Sequence, residues 1–225
     1  GLWCVNVGYG REEIAEAIAN QARTLPFYHS FASMGNEPAI RLAERLVAVA
    51  PDGLGKVFFG NSGSDANDTQ VKLVWYYNNL RGRPKKKKII SQRRSFHGVT
   101  LGAASMAGLG AVHADFDLPL PGFLQTKAPD CYRGMRGLPA EATESDYAKD
   151  LAGELDALIE REGPDSVAAF IAEPVMGAGG VVVPPAGYFR EIQQVLDRHD
   201  VLMIADEVIC GFGRLGRCLL YTSDA

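Results

Sequence analysis

Four polar segments in the sequence follow apolar runs and contain residue types that bind ligands. They are residues 61–68, 96–98, 173–174 and 206–208. In open α/β sheets, ligands bind just beyond the carboxyl ends of the strands, where loops of this kind lie. The four segments are therefore the candidates for a binding or catalytic site.

The turn made by Ser62, Gly63 and Ser64 could bind a phosphate. Gly63 lets the backbone approach a ligand closely, and a helix beginning here would point its free N–H groups and positive dipole end outward. The hydroxyls of both serines add donors. The turn is neither a Walker A loop nor a Rossmann fingerprint. A plain helix N-cap at Ser62 or Ser64 explains the same residues, and the turn taken alone favours that explanation.

Asp206 follows a run of apolar strand residues, and its carboxylate could hold a protonated ring nitrogen. Pyridoxal phosphate needs such an acid, because a protonated pyridine is the better electron sink. Capping of the following turn explains Asp206 equally well. Phe96 could stack on a planar cofactor or belong to the core. His97 is by default a structural histidine, and Glu173 could form an ion pair at a strand end.

The elements that must position these segments alternate between helix and strand. Apolar, β-rich runs predict strands at residues 56–59, 88–91, 167–172 and 201–205. Helical spacing of apolar residues predicts a helix capped by Asn36, one at 64–81, one at 98–107, one capped by Ser145 and one at 187–199. The helix at 64–81 is apolar nearly all round, which predicts that it is buried. Residues 108–138 are predicted to be a long surface excursion. The alternation indicates an α/β fold with a mainly parallel sheet.

Composition and charge exclude several classes of protein. The chain has 225 residues, 47% apolar and 22% charged, with a formal net charge of −4. This apolar content excludes disorder as the main state, and the acidic balance argues against a nucleic-acid partner. No apolar run approaches the ~20 residues of a membrane helix. The scattered cysteines predict free thiols and a cytoplasmic location. They are Cys4, Cys131, Cys210 and Cys218.

Five motifs are far more specific together than any of them is alone, because of their order and spacing. They are GLWCVNVGYG at 1–10, NSGSDAND at 61–68, FHG at 96–98, EPVMGAGG at 173–180 and DEVICGFGR at 206–214. Together they resemble the class III aminotransferases, pyridoxal-phosphate enzymes of fold type I. More narrowly, the chain is similar to ω-amino acid or amine:pyruvate transaminases from residue 1 to about residue 217. The resemblance implies a three-layer α/β/α fold, here incomplete, and a homodimer.

The resemblance implies residues that contact the phosphate of pyridoxal 5'-phosphate and the substrate. The positions matching the phosphate-binding loop are Ser62, Gly63 and Ser64. The positions matching the substrate pocket are Trp3, Phe31 and Ala178. Phe31 would reach across the dimer interface, and the substrates would be small amines and keto acids.

The resemblance also implies which residues surround the cofactor ring. Asp206 would pair with the pyridine nitrogen, while Phe96 would stack on one face of the ring and Val208 would pack on the other. Glu173 would lie near Asp206 on the side of the ring hydroxyl, and His97 belongs to the same cofactor-binding set. Phe96 stands where the family usually has Tyr, so stacking is retained and a phenol hydrogen bond is lost.

The catalytic lysine of the family is predicted to lie beyond this chain. In the family it forms the Schiff base with the cofactor, roughly thirty residues after the acid that matches Asp206. The last lysine here is Lys149, so no catalytic residue is predicted within the chain. Residues 218–225 depart from the family and are predicted to be a non-native tail on a truncated piece. Residues 1–30 would belong to a small domain, and residues 31–217 to an incomplete cofactor-binding large domain.

The predicted function of the intact protein is transfer of an amino group from an amine or ω-amino acid to a keto acid such as pyruvate. The present chain is predicted to be inactive without the lysine. Three alternatives stay open. They are an aminomutase or decarboxylase on the same scaffold, a non-catalytic protein that binds pyridoxal phosphate, and an unrelated α/β binding module whose Ser-Gly-Ser turn is only a helix cap.

Overall fold

The computed structural model describes residues 3–216 and 218–219. These residues form two compact units, one made of residues 3–58 with 211–216 and 218–219, the other of residues 59–210. The predicted domain boundary between residues 30 and 31 stays a prediction. Most of the predicted non-native tail, residues 220–225, lies outside the described residues. In the described part of the chain, no helix has the length and apolarity needed to cross a membrane.

The larger unit is built on a four-stranded sheet with the order β2-β1-β3-β4. The strands are β1 (Lys88–Gln92), β2 (Phe123–Thr126), β3 (Val167–Ala172) and β4 (Leu202–Ala205). Every neighbouring pair in this sheet is parallel, with Ile90 opposite Phe170 and Phe170 opposite Met203. The prediction of an α/β fold with a mainly parallel sheet is therefore confirmed.

Helices of the larger unit connect and cover these strands, and the smaller unit has helices of its own. The smaller unit contains α1 (Glu12–Thr24) and α2 (Glu37–Val49), and Asn36 caps α2 as predicted. The larger unit contains α3 (Gly63–Leu80), α4 (Leu101–Met106), α5 (Cys131–Gly134), α6 (Glu144–Glu162) and α7 (Tyr188–Arg198). Short 3-10 turns occupy Gly110–Val112, Met135–Gly137 and Pro164–Ser166.

Neighbouring residues of β3 bury their side chains against opposite layers of helix, as Phe170 and Ile171 show. Phe170 belongs to a core cluster with Leu155 of α6 and Leu196 of α7. Ile171 belongs to a second cluster with Val74 of α3 and with side chains of α4. Successive side chains of a strand point to opposite faces, so a strand covered on both faces must be apolar throughout. The larger unit therefore has the three layers α/β/α.

The prediction of a strand at residues 56–59 is wrong. The segment has no regular secondary structure and forms no ladder, and Phe58 and Phe59 are 63% and 49% exposed. A β-rich run becomes a strand only when a neighbour accepts and donates its backbone hydrogen bonds. Among the described residues, no strand pairs with this one.

The prediction that the helix at 64–81 is buried all round is also wrong. One stripe of α3 is buried, including Val71 and Val74, whereas Leu73 is 55% exposed. The helix lies on one face of the sheet, so only the side chains directed at the sheet are covered. Its apolar outer face gives a continuous hydrophobic pattern without giving burial.

Two further boundaries differ from the prediction. The helix predicted at 98–107 begins at Leu101, because Gly98 has a φ of +132° and Thr100 is extended. The predicted surface excursion at 108–138 contains β2, which pairs with β1 at one edge of the sheet. The run Phe123–Thr126 is too short for a clear alternating pattern, so the sequence does not predict this strand.

Thr143, and not the predicted Ser145, caps α6. Its hydroxyl accepts from the Asp146 N–H at 3.2 Å, while Asp146 Oδ2 accepts from the Thr143 N–H at 3.0 Å. Together these two bonds form a capping box. We expect Thr143→Ala to lower the free energy of unfolding by about 1 kcal/mol, because it leaves a first-turn N–H without an acceptor. The matched variant Ser145→Ala should change it by less than about 0.5 kcal/mol. Urea unfolding of both variants checks this, and equal losses would contradict the assignment of the cap.

Candidate functional site

The predicted site segments meet at one edge of the sheet. The loops after β1, β3 and β4 leave the sheet at its carboxyl edge, and the beginning of α3 lies against the loop after β1. The Phe96 N–H donates to Glu173 Oε1 at 2.9 Å, and His97 Nδ1 lies 2.8 Å from Asp206 Oδ2. These contacts join four segments that are far apart in the sequence. Strand parallelism produces this for the segments after β1, β3 and β4, because parallel strands end at the same edge. The segment at 61–68 follows no strand and joins them through its contact with the loop after β1.

The Ser-Gly-Ser turn forms the N-terminus of α3. Ser62 is the N-cap, and its Oγ accepts from the Asp65 N–H at 3.1 Å. Ser64 Oγ accepts from the Val99 N–H at 3.0 Å, which joins the turn to the loop after β1. Each hydroxyl still has its own proton to donate. The amides of Gly63 and Ser64 are first-turn groups that no residue of the helix can accept from, so they are free to bind an anion.

Two glycines allow the site segments to approach each other closely. A Cβ on Gly63 would lie 2.8 Å from Val208 Cγ2, and one on Gly98 would lie 2.4 Å from Ser64 Oγ. Gly98 also has a φ of +132°, which favours glycine. The absence of these two side chains therefore places Val208 beside the beginning of α3 and leaves backbone groups accessible there.

Asp206 is buried, and its two oxygens have different partners. Oδ2 accepts from Asn67 Nδ2 at 3.0 Å and lies 2.8 Å from His97 Nδ1. Oδ1 accepts from the Val208 N–H at 3.2 Å. A carboxylate oxygen can accept two hydrogen bonds, so Oδ1 keeps the capacity for one further donor.

These partners hold Asp206 in its ionised form. Burial, the largest single influence, acts to raise its pKa, but the hydrogen bonds from His97 and Asn67 and the charge of His97 together outweigh it. The pKa of Asp206 therefore lies below its ordinary value. A buried carboxylate kept anionic in this way can hold a protonated ring nitrogen.

Glu173 joins the loop after β3 to the loop after β1. Its Oε1 accepts from the Phe96 N–H, and its Oε2 accepts from the Gly177 N–H at 3.0 Å. Burial raises the pKa of Glu173 more than these two N–H donors lower it. Glu173 therefore fixes the backbone on both sides of the site. The alternative of a strand-end ion pair is wrong for this residue, because its partners are backbone amides.

Asn67 is a site residue that was not predicted from the sequence. Besides its bond to Asp206, its Nδ2 donates to the His97 carbonyl oxygen at 2.7 Å. A signal for it was present in the sequence. Asn67 lies on the same helical stripe as Val71, Val74 and Asn78, the four buried residues of α3. A buried amide on an otherwise apolar stripe must have a specific partner.

We expect Asn67→Ala to lower the free energy of unfolding by about 2 kcal/mol at neutral pH, because two buried acceptors lose a donor. The folded pKa of Asp206 lies below its ordinary 3.8. Its contribution to stability is therefore present above that pH and is lost as the pH falls through the folded pKa. Asn67→Ala raises the folded pKa, so the loss should shrink at about pH 2.5.

Asn78→Ala is the matched control for this pH dependence. Asn78 is buried on the same helix, but its Nδ2 donates to the Val74 carbonyl oxygen at 3.0 Å instead of a carboxylate. The cost of Asn78→Ala should therefore be the same at both pH values. Urea unfolding at the two pH values measures both variants, and a pH-independent cost for Asn67→Ala would contradict the coupling to Asp206.

The predicted substrate-pocket residues are divided between the two units. Ala178 is an exposed residue of the larger unit, in the turn that begins at Gly177. Trp3 and Phe31 belong to the smaller unit, where Phe31 is exposed and the Arg214 guanidinium lies 5.7 Å from the centroid of the Trp3 ring. The roles of these three residues toward a substrate stay predictions.

The sequence that forms this fold and site matches one known protein family. The sequence model of the class III aminotransferases matches residues 1–224. The chain belongs to this family. The alternative of an unrelated α/β module with a simple helix cap is therefore wrong.

Curated relatives and solved structures match nearly the whole chain. The diaminobutyrate–2-oxoglutarate transaminase of Halomonas elongata is 52% identical over 96% of this chain and 46% of that protein. A probable mitochondrial gamma-aminobutyrate transaminase 2 of Oryza sativa subsp. japonica is 56% identical over 96% of this chain and 43% of that protein. The omega transaminase from Pseudomonas jessenii in complex with PMP superposes with a TM-score of 0.91 at 51% identity, covering 95% of this chain and 47% of that one. The chain thus spans a little under half the length of these relatives.

The residues at the sheet edge fit the cofactor of this family. Class III aminotransferases depend on pyridoxal phosphate. An anion fits the free amides of the first turn of α3, and a protonated ring nitrogen fits the anionic Asp206. His97 Nε2 is buried and has no hydrogen-bond partner among the described residues, so the imidazole is committed to Asp206 through Nδ1 alone. The free amides of α3 would donate to a phosphate at one end, and the Asp206 carboxylate would accept from a pyridinium at the other.

Proposed function

We propose that the intact protein, of which this chain is part, is a pyridoxal-phosphate-dependent transaminase. It would move an amino group from an amine or ω-amino acid to a keto acid such as pyruvate. The observation that carries this is the anionic Asp206, buried and fixed by Asn67 and His97, at the same sheet edge as the open N-terminus of α3. Membership of the class III family supports the same conclusion.

The residues of this chain would bind and orient the cofactor. The amides of Gly63 and Ser64 would bind its phosphate, with the α3 dipole adding a favourable charge interaction. Phe96, half-buried in the loop after β1, would support the ring, and Val208 packs beside Gly63. Position and orientation at the reacting centre are a large part of what the protein supplies to such a reaction.

Asp206 sets the electronic state of the bound ring. When bound, pyridoxal phosphate supplies an electron sink for the electron pair left on carbon when a proton departs. Asp206 Oδ1 would hold the proton on the ring nitrogen, which keeps this sink strong. Asn67 and His97 keep Oδ2 occupied, so the carboxylate cannot rotate away from the ring. Glu173 keeps the backbone of Phe96 in place while the substrate exchanges.

The proposed function is tested on the intact protein that contains this chain. Purified enzyme is given an amine or ω-amino acid with pyruvate, and formation of alanine and of the matching ketone or aldehyde is followed. We expect both products in equal amounts. Loss of carbon dioxide or migration of the amino group within one substrate, with no alanine formed, would favour a decarboxylase or an aminomutase instead. Binding of the cofactor with no turnover of any donor would favour the non-catalytic alternative.

The assembly and location of the protein are part of the same proposal. We infer a homodimer, because the resemblance places Phe31 across a dimer interface and Phe31 is exposed on the smaller unit. We also infer a cytoplasmic location. The four cysteines are all free thiols, which supports a reducing compartment.

A further inference from the structure

Arg94 joins two loops that border the candidate cofactor site. It lies in the loop after β1, two residues before Phe96, with a φ of +69°. Its Nη1 donates to Asp130 Oδ2, and its Nη2 donates to the Gly179 carbonyl oxygen, each at 2.5 Å. The bond to Asp130 is charge-assisted and fixes the plane of the guanidinium. The second donor of the same rigid group is thereby aimed at Gly179.

The segment that receives Arg94 is a tight turn on the rim of the site. The N–H groups of Gly180 and Val181 both donate to the Gly177 carbonyl oxygen at 3.1 Å. Gly177 and Gly179 are buried in this turn, whereas Ala178 between them is exposed. A Cβ on Gly179 would lie 2.3 Å from the Arg94 carbonyl oxygen, so the turn packs directly on the Arg94 backbone.

Two hydrogen bonds join the loops, and in each of them a side chain of one loop bonds to the backbone of the other. Glu173, on the loop after β3, accepts from the Phe96 N–H and from the Gly177 N–H, which fixes the beginning of the turn. Arg94, on the loop after β1, donates to Gly179 and fixes the middle of the turn. Ala178 lies between these two attachment points. The position of Ala178 relative to Phe96 therefore depends on the side chains of Glu173 and Arg94.

We propose that Arg94 is a positioning residue for the substrate. It holds the turn at residues 177–181 so that Ala178 occupies a fixed place on the rim, where an amine or keto acid extends beyond the cofactor. The role toward a substrate rests on the proposed function, whereas the attachment of the turn does not. Among the described residues, the hydrogen bonds of the Arg94 side chain go to Asp130 and Gly179 and not to residues 62–64, so its effect should be confined to the substrate side.

Amide hydrogen exchange on the chain tests whether Arg94 holds the turn. In Arg94→Ala, the amides of Gly180 and Val181 should exchange about tenfold faster, because the turn loses its attachment to a charged group. Arg94→Lys should show a smaller effect in the same direction, since lysine has no forked pair of donors. Arg93→Ala is the matched control, because Arg93 is the exposed neighbour. Unchanged exchange in the turn for Arg94→Ala, or for Arg94→Lys if the alanine variant does not fold, would overturn the proposal.

Ligand affinity then tests the role toward the substrate. The probes are pyridoxamine phosphate and N-phosphopyridoxyl-alanine, a stable amine that carries the cofactor ring and an amino acid in one molecule. Arg94→Ala should raise the Kd of the alanine conjugate about tenfold, and that of pyridoxamine phosphate by less than about twofold. Arg94→Lys should recover part of the loss.

A purely structural role for Arg94 would raise both Kd values by the same factor, and that result would overturn the proposal. If the unmodified chain binds neither probe, the cofactor site assigned to this chain fails, and the substrate role of Arg94 fails with it. The exchange experiment would still show whether the turn depends on Arg94. Failure of cofactor binding and failure of the turn attachment by Arg94 are therefore distinguishable.

Discussion

Replacing Asp206 by Asn is expected to weaken the binding of pyridoxamine phosphate by about two to three orders of magnitude. Asp206 is only 7% exposed, and its ionised form is maintained by Asn67 and His97. An amide has nearly the same shape but no charge, so it cannot hold the proton on a pyridine nitrogen. Removing one partner of a buried charge pair also leaves the other uncompensated.

Titration of the chain with pyridoxamine phosphate, followed by the absorbance and fluorescence of its ring, measures this effect. The amine form of the cofactor is used because it does not react with surface lysines. Asp197→Asn is the matched control, since Asp197 is an exposed carboxylate on α7 that accepts from Gln193. If Asp206→Asn binds within about threefold of the unmodified chain, Asp206 is only a structural cap and the ring-nitrogen role is refuted.

Replacing Gly98 by Ala is expected to lower the free energy of unfolding by about 4 kcal/mol. The backbone at Gly98 has a φ of +132°, which a side chain strains. The new Cβ would also lie 2.4 Å from Ser64 Oγ, 2.9 Å from Ser64 Cα and 2.8 Å from Ala103 Cβ. Two of these three contacts are with the first turn of α3, so relief of the clash must move the turn that would bind phosphate.

Urea unfolding followed by tryptophan fluorescence measures the loss. Gly110→Ala is the control, because no atom lies within 4 Å of a Cβ at Gly110 and its φ is outside the left-handed region. Its effect should stay within about 0.5 kcal/mol of zero. Equal and small costs for the two substitutions would show that the close approach of Gly98 to α3 is not required.

Much of the candidate site could be predicted from the sequence because of one geometric rule. Continuously apolar runs predict parallel strands, and parallel strands bring the residues that follow them to one edge. Phe96, Glu173 and Asp206 were predicted in this way, and their segments do meet. The rule needs only the order of strands and loops, which local patterns reveal.

The parts that were not predicted depend on distant partners. Asn67 looks like an ordinary helical residue until Asp206, 139 positions away, is placed beside it. The exposed face of α3 and the unpaired segment at 56–59 show the same limit. An apolar run in the sequence does not reveal whether another element packs against it. The cap of α6 is different. Thr143 is followed three residues later by Asp146, so the sequence itself contains the reciprocal pattern that favours Thr143 over Ser145 as the cap.

We expect this sheet edge to bind the phosphorylated pyridine cofactor in one orientation. A crystal structure of the chain with pyridoxamine phosphate tests it most directly. We expect the phosphate on the amides of Gly63 and Ser64, and the ring nitrogen on Asp206 Oδ1, with Phe96 and Val208 on opposite faces of the ring. A phosphate bound elsewhere, or a ring nitrogen that does not contact Asp206, would contradict the claim.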